Sequence, residues 1–182
     1  LTVYAFSTEN WKRSTEEVGA LMSLFRIYLK KILKVAMANN VRVRMIGEKS
    51  RFDEDIRDGI DNLEEKTAQN TGMTFVIAIN YGSRDEITRA VRSLAKDAVA
   101  GKVQPEGITE ATVASYLDTA DMPDPDLMIR TSGEQRLSNY LLWQLAYAEF
   151  YFTDVYWPDF NKEELLKAIE AYNNRNRRFG GR

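Results

Sequence analysis

The chain has 182 residues with 44% apolar and 29% charged residues and a net charge of −2, which fits a single globular domain over residues 1–182. The small negative charge argues against nucleic acid as a partner. The absence of cysteine and histidine excludes disulfides, thiolate chemistry and histidine-based zinc sites or general bases.

The sequence also bears on the location of the protein. No uncharged run reaches the roughly 18 apolar residues of a membrane-spanning helix, and no secretory signal is visible. We therefore expect a cytoplasmic protein. The chain opens directly on a strand pattern at Leu1 without an initiator methionine, so we also expect that it is a fragment or that upstream residues are absent.

Strand and helix patterns alternate along the chain. Continuous apolar or alternating runs predict strands over 1–6, 41–46, 73–79 and 127–129. Helical spacing predicts helices over 15–38, 53–69, 83–100, 109–117 and 162–177. Ser14 with Glu17, and Ser83 with Glu86, have the spacing of capping boxes. This alternation predicts an α/β fold with a mainly parallel central sheet and helices on both faces.

A polar loop follows the first predicted strand. It offers a hydroxyl, a carboxylate, an amide, an indole and a guanidinium within the run STENWKR at 7–13. A helix-entry loop with Trp11 packed on its surface would also explain these residues. However, ligands of parallel sheets lie outside the carboxyl ends of the strands, so the loop is a candidate binding site.

The first predicted helix carries an unusually wide apolar stripe. Leu21 and Phe25 keep the spacing of one packing face, and Leu24 widens it. Such width is typical of deep burial, of a second partner or of a ligand cavity, and core packing is the simplest interpretation for any single residue.

A second candidate site follows the strand at 127–129. Arg130 is succeeded by the small loop Thr131-Ser132-Gly133, and then by Arg136 and Ser138. Guanidinium groups fork onto phosphate oxygens, and small residues let backbone amides approach the same anion. Surface ion pairs with neighbours such as Glu134 are the competing interpretation.

Glu149 is the only acid between Leu141 and Thr153, among aromatic residues. A charge in such surroundings needs a partner. Spacing alone favours a salt bridge to an arginine, and a metal ion such as Mg²⁺ is the alternative. The basic tail, 175–182, is by its composition a frayed terminus.

Three ordered motifs make the chain resemble a known family. They are FSTENW at 6–11, IRTSGEQRLSN at 129–139 and WPDF at 157–160. Together they resemble the cis-prenyltransferases, and the bacterial undecaprenyl diphosphate synthases most. The resemblance implies a homodimer that adds isopentenyl diphosphate to farnesyl diphosphate in successive cis condensations. Its product would be the undecaprenyl lipid carrier of cell-wall synthesis, with peripheral membrane contact for release.

The resemblance also implies roles for individual residues. Arg130, Arg136 and Ser138, with the backbone of Leu137, would hold the isopentenyl diphosphate head, and Glu149 would be a ligand of Mg²⁺. Asn10 occupies the position assigned to the proton acceptor, although a carboxamide is a poor base. The remaining residues of the loop at 7–13 that match the substrate loop are Ser7, Thr8, Glu9, Trp11 and Arg13.

Two further features follow from the resemblance alone. Arg178 and Gly180 match a terminal motif that reaches the neighbouring subunit. A product tunnel would be lined by Ala5, Leu21, Leu24, Phe25, Met73 and Ile79. Each CH₂ that a growing chain buries there would contribute about 0.8 kcal/mol.

The family's first motif, DGNGRW, is absent from the sequence. In the family it supplies an aspartate for Mg²⁺ and the loop that binds the allylic diphosphate. We therefore expect the 182-residue polypeptide to be inactive or nearly so, and a longer parent chain to be active.

Two alternatives stay open. A non-catalytic partner subunit of a prenyltransferase heterodimer would have the same fold, although such subunits tend to lose the arginines that are present here. A phosphosugar or nucleotide enzyme on a similar sheet is the other. The absence of GxGxxG and GxxxxGK motifs argues against it.

Overall fold

A computed structural model describes residues 1–175. Its contacts divide the chain into two compact units, the first spanning Leu1–Ala120 and the second beginning at Asp121. Each unit is an α/β arrangement with parallel strands. The predicted α/β class is therefore confirmed, and the strands pair in two sheets, one in each unit.

The first unit contains three strands and four α-helices. The strands are β1 (Thr2–Ser7), β2 (Arg42–Ile46) and β3 (Thr74–Tyr81). The helices are α1 (Thr15–Ala38), α2 (Glu54–Thr67), α3 (Ser83–Val99) and α4 (Glu110–Ala114). The predicted strands and the three long helices are thus confirmed, with boundaries that differ by a few residues at most.

The strand β3 is the middle of this sheet. It pairs in parallel with β1 on one side and with β2 on the other, for example Thr2 with Val76 and Met45 with Ile77. Its last six residues are all buried, which agrees with a continuous apolar run covered on both faces. Because all three strands run the same way, their carboxyl ends meet at one edge of the sheet. We call it the first edge.

The helices α1 and α2 pack against the sheet and form the hydrophobic core with it. Met22, Leu29 and Ala36 of α1 are buried at intervals of seven residues and form one stripe along the helix. Ile56 and Ile60 of α2 are fully buried in the same cluster. Burial of each such side chain stabilises the fold by about 1.5–3 kcal/mol.

Gly47 shows why a glycine follows β2. Its φ is +114°, and a Cβ there would lie 2.0 Å from the carbonyl oxygen of Ile79. Only glycine combines that backbone conformation with this close approach. Its N–H donates to Asp118 Oδ2 at 2.9 Å, which ties the end of β2 to the segment after α4.

The two predicted capping boxes have different outcomes. Ser14 caps α1 and accepts from the Glu17 N–H at 3.2 Å, but the Glu17 carboxylate pairs with Arg13 at 2.5 Å, so half of the box forms. The box at Ser83 is wrong, because Gly82 is the N-cap and Ser83 is already helical.

Glu86, predicted to belong to that box, is instead the centre of a buried polar network. It is 1% exposed and accepts from the Tyr81 hydroxyl at 2.6 Å and from the Asp118 N–H at 3.0 Å. Asp118 in turn accepts two hydrogen bonds from Arg89, at 2.8 and 2.7 Å. Pairing with Asp118, the main cause, holds the pKa of Arg89 above its ordinary value.

We predict that Glu86→Ala lowers the free energy of unfolding by about 2–4 kcal/mol, because a buried hydroxyl and a partly buried N–H lose their acceptor. Urea denaturation measures this loss. Glu65→Ala, at an exposed position of α2, is the matched control and should change stability by less than about 0.5 kcal/mol. Equal losses in the two variants would contradict the network's role.

The second unit contains a smaller parallel sheet. The strands β4 (Leu127–Arg130) and β5 (Glu149–Phe152) pair in register from Leu127 with Glu149 to Arg130 with Phe152. The helix α5 (Lys162–Asn173) follows, and its N-cap Asn161 accepts from the N–H groups of Glu163 and Glu164. The strand β5 was not predicted, and α5 ends earlier than the predicted 177.

Candidate functional site

The loop after β1 forms a compact turn at the first edge. Its 3-10 helix, Thr8–Lys12, begins directly after Ser7. The Ser7 N–H donates to Asn10 Oδ1 at 2.8 Å, and the Thr8 hydroxyl donates to Glu9 Oε2 at 3.1 Å. The loop is therefore closed by bonds among its own residues, and the predicted site residues Ser7, Thr8, Glu9 and Asn10 lie in this turn.

This geometry defines what Asn10 offers to a ligand. Its carboxamide oxygen accepts from the backbone, so the Nδ2 group is the part that is left to donate outward. A proton acceptor needs a lone pair with basic character, which this arrangement does not provide. The Asn10 Nδ2 group can therefore donate to a ligand or to a water. Arg13 pairs with Glu17, and both side chains are about half exposed.

Trp11 is held from several sides. Its indole N–H donates to Asn80 Oδ1 at 2.7 Å, and the Arg51 guanidinium lies 4.2 Å from its ring centre. Its ring also meets the ring of Phe6 edge-on at 5.1 Å. Neither Asn80 nor Arg51 was predicted from the sequence as a site residue. The one available indication for Asn80 was an amide at the end of a buried strand.

Tyr4 adds a partly buried hydroxyl close to the first edge. It donates to the Tyr81 carbonyl oxygen at 2.8 Å. Burial raises the pKa of Tyr4 to about 12, and the nearby charge of Glu9 adds to the increase. Tyr4 therefore stays protonated at neutral pH and serves as a hydrogen-bond donor.

The loop after β4 is the candidate site of the second unit. Arg130 is the last residue of the strand, and its guanidinium has no ion-pair partner among residues 1–175. Arg136 is 65% exposed and pairs with Glu134. Ser138 and Asn139 follow with φ of +50° and +62°, values that non-glycine residues rarely adopt. Two guanidinium groups and a hydroxyl thus belong to one loop, with Leu137 between Arg136 and Ser138.

The predicted amide cradle at Ser132 and Gly133 is wrong. The Ser132 N–H donates to the Val155 carbonyl at 2.9 Å, and the Gly133 N–H donates to the Thr153 carbonyl at 3.0 Å. These bonds join the loop to the segment after β5, so the two amides are not available for an anion. Anion binding at this loop depends on the side chains.

Glu149 lies away from Arg130. It starts β5 opposite Leu127, whereas Arg130 ends β4, which separates the two along the strands by three residues, or about 10 Å. Alternation also directs Glu149 and Arg130 to opposite faces of the sheet. Glu149 is therefore not directly beside the Arg130 guanidinium. Glu149 pairs with Arg175 at 2.7 Å, as the spacing argument favoured.

Among residues 1–175, Glu149 is the predicted carboxylate ligand for Mg²⁺, and substrate oxygens would have to supply further ligands. Residues 1–175 contain no group of three acidic, histidine or cysteine side chains that could hold a metal ion. Glu149 offers one carboxylate, and Mg²⁺ is often bound through one or two carboxylates together with substrate phosphates and water. Its bond to Arg175 is partly exposed and is worth about 0–1 kcal/mol, so a metal ion can displace the arginine.

The six predicted tunnel residues do not share one environment. Ile79 is fully buried in the core cluster, and Leu21 and Phe25 pack against it. Leu24 and Met73, by contrast, are 49% and 52% exposed. Ala5 is also exposed. The width of the α1 stripe therefore reflects two faces, one in the core and an exposed one around Leu24.

Arg178 and Gly180 lie outside the described residues. In residues 1–175, none of the helices has both the length and the apolar character required to cross a lipid bilayer.

The chain is similar to known proteins over almost its whole length. A family model described as putative undecaprenyl diphosphate synthase matches residues 1–180. An isoprenyl transferase of Agrobacterium fabrum is 52% identical over 180 residues, 99% of this chain and 73% of the relative. An isoprenyl transferase of Streptococcus pyogenes serotype M3 is 54% identical over 184 residues, 99% of this chain and 74% of the relative.

Two solved structures are similar to the chain throughout. Lavandulyl diphosphate synthase from Lavandula x intermedia, in complex with dimethylallyl diphosphate, has a TM-score of 0.95 and 40% identity, covering 99% of this chain and 78% of that one. A probable undecaprenyl diphosphate synthase from Campylobacter jejuni has a TM-score of 0.88 and 40% identity, covering 99% and 82%.

Proposed function

This chain belongs to the undecaprenyl diphosphate synthase family, and on that premise we propose how its residues carry out the reaction. It is a transferase that condenses isopentenyl diphosphate with an allylic diphosphate to form a cis double bond. We propose farnesyl diphosphate as the first allylic substrate. Successive additions would give undecaprenyl diphosphate, the lipid carrier of cell-wall synthesis.

The observation that supports this proposal most is the loop after β4. Arg130 offers a guanidinium without an ion-pair partner among residues 1–175, and Arg136 has one exposed neighbour, Glu134, as its partner. An exposed pair of this kind contributes about 0–1 kcal/mol, so a diphosphate displaces it readily. Together with the Ser138 hydroxyl, these groups form a binding set for the head of isopentenyl diphosphate.

The condensation moves three electron pairs. The allylic C–O bond breaks and diphosphate leaves with its electron pair, while the C3=C4 π electrons of isopentenyl diphosphate form the bond from C4 to the allylic C1. A proton then leaves C2, and the C2–H electrons form the new C2=C3 double bond. Arg130 and Arg136 fix the isopentenyl head so that its double bond faces the developing cation. Asn10 donates from Nδ2 to orient a substrate oxygen or a water, and the departing diphosphate takes up the proton.

Glu149 would hold Mg²⁺ together with diphosphate oxygens and water. When bound, Mg²⁺ neutralises diphosphate charge and so favours departure of the leaving group. The role of the protein in this step is to present the carboxylate, which requires Arg175 to release it.

We further propose that the protein acts as a homodimer with peripheral membrane contact at product release, in the cytoplasm. Exposed Tyr147, Tyr156 and Trp157 in the second unit support a contact with a second copy, because large aromatic side chains are enriched at interfaces. Arg178 and Gly180 would reach the partner's diphosphate site. Light scattering during size-exclusion chromatography should give twice the chain's mass.

The function is tested on the full-length protein with labelled isopentenyl diphosphate, farnesyl diphosphate and Mg²⁺. We expect label in a series of longer prenyl diphosphates, resolved by reversed-phase chromatography, and no product when Mg²⁺ is chelated. Thermal shift should show stabilisation by isoprenoid diphosphates and none by nucleotides or phosphosugars. The opposite thermal-shift pattern, with no prenyl product, would contradict the proposal.

A further inference from the structure

Asn80 joins two loops at the first edge. It lies near the end of β3, is 4% exposed and has a φ of +44°. Its Oδ1 accepts from the Trp11 indole N–H at 2.7 Å, and its Nδ2 donates to the Glu48 carbonyl oxygen at 2.7 Å. Its own carbonyl accepts from the Glu48 N–H at 3.2 Å. One residue thus connects the segment after β2 to the candidate substrate loop.

The remaining contacts of the Trp11 side chain are made by its ring, so the bond to Asn80 is the one that its indole N–H makes. Arg51 covers its ring at 4.2 Å, and Phe6 and Phe52 pack against it with ring centres 5.1 and 5.8 Å away. Its only N–H donor is committed to Asn80. The indole is therefore held by its ring packing and by one side-chain hydrogen bond, which Asn80 accepts.

The loop transmits this position to Asn10, the residue before Trp11. Asn10 Oδ1 is held by the Ser7 N–H at 2.8 Å, which fixes the carboxamide and the direction of its Nδ2 group. A displaced indole moves the backbone of its neighbour in a turn of only five residues. Reaction rates are sensitive to such shifts, since misplacement by about 1 Å can cost about 100-fold.

We propose that Asn80 is a positioning residue of the condensation, which acts through Trp11 to hold Asn10 and the 7–13 loop ready for substrate. The inference rests on the proposed function. The site requires an acceptor and a donor on one short side chain, and asparagine tolerates positive φ better than most residues. Glycine tolerates that φ as well but has no side chain, so Asn80→Gly removes the two side-chain bonds without backbone strain.

Asn40, at the opposite end of the sheet, provides a matched control for the Asn80→Gly variant. Asn40 has a φ of +53°, and its carboxamide accepts from the Thr71 N–H at 3.0 Å and donates to the Thr71 hydroxyl at 3.1 Å. Asn40→Gly therefore makes the same chemical change at the amino ends of the strands. It should lower stability without altering kcat.

The test is steady-state kinetics of the full-length protein with isopentenyl and farnesyl diphosphates. We expect Asn80→Gly to lower kcat about 10- to 100-fold, with the KM for isopentenyl diphosphate within about threefold of wild type. Trp11→Phe removes the same hydrogen bond and keeps a ring. In a double-mutant cycle, Asn80→Gly should have at least fivefold less effect on kcat in the Trp11→Phe background.

Several results would overturn the positioning role. The first is a kcat of Asn80→Gly within twofold of wild type. The second is a loss of kcat in Asn40→Gly as large as that in Asn80→Gly. The third is additivity of the Asn80→Gly and Trp11→Phe effects on kcat in the double-mutant cycle. If Asn80→Gly fails to fold, Trp11→Phe decides: a kcat lowered at least fivefold at unchanged KM supports the role, and an unchanged kcat overturns it. An inactive wild type overturns the proposed function as well, whereas an active wild type with unaffected variants overturns the positioning role alone.

Discussion

Arg130→Ala is expected to raise the KM for isopentenyl diphosphate and to lower kcat/KM by about 30- to 1,000-fold. The guanidinium would make two charge-assisted hydrogen bonds to the diphosphate, worth together about 2–4 kcal/mol, and each 1.4 kcal/mol is about a factor of ten. The KM for farnesyl diphosphate should change little, because the proposed set of Arg130, Arg136 and Ser138 binds the other substrate. Initial rates at varied concentrations of each substrate measure both effects.

Two matched variants separate charge from geometry. Arg92→Ala removes an exposed arginine of α3 and should leave both KM values unchanged. Arg130→Lys keeps the charge but loses the planar fork, so its KM should lie between those of wild type and Arg130→Ala. An unchanged KM for isopentenyl diphosphate in Arg130→Ala would remove Arg130 from the head-group site.

Glu149→Ala is expected to lower kcat/KM by roughly 100-fold and to raise the Mg²⁺ concentration that gives half-maximal activity, since one metal ligand is worth about 3 kcal/mol of transition-state stabilisation. Titration of activity with MgCl₂ at saturating substrate measures both quantities.

The salt bridge to Arg175 supplies the control for this prediction. If Glu149 matters only through that bond, Arg175→Ala should reproduce the loss of activity. If Glu149 binds Mg²⁺, Arg175→Ala frees the carboxylate and should leave the Mg²⁺ requirement unchanged or lower it. A Glu149→Ala enzyme with wild-type dependence on Mg²⁺ would contradict the metal role.

The regular elements were predictable from the sequence because their periodicity reflects burial. The stripe of Met22, Leu29 and Ala36 and the apolar run of β3 each have one stable arrangement. Helix caps were less predictable. A serine and a glutamate at the right spacing can bond to tertiary partners instead of to the end of the helix. Glu86 is taken by Tyr81 and by the Asp118 N–H, which is 32 residues away along the chain.

The strand β5 could not be predicted from the sequence, because it lies within a longer apolar stretch. Left-handed conformations at Ser138, Asn139 and Leu141, none of them glycine, break the chain into turns before Glu149. Residue type gives little warning of such conformations, because packing imposes them. The four strand residues that follow are too few to show a period.

The candidate sites were predicted by residue type but not by geometry. The loop at 7–13 and the group formed by Arg130, Arg136 and Ser138 were identified from their positions after buried strands. Two sets of hydrogen bonds join residues that are far apart in the sequence. The Ser132 and Gly133 amides donate to the carbonyls of Val155 and Thr153, and Trp11 donates to Asn80. Only the folded arrangement reveals such pairs.

The central claim is that the loop after β4 binds the head of isopentenyl diphosphate, and a co-crystal structure tests it most directly. The full-length protein would be crystallised with isopentenyl diphosphate, Mg²⁺ and an unreactive thio-analogue of farnesyl diphosphate. We predict isopentenyl diphosphate oxygens within about 2.7–3.2 Å of the Arg130 and Arg136 guanidinium groups and the Ser138 hydroxyl. A diphosphate bound elsewhere, with Arg130 and Arg136 facing solvent, would contradict the claim.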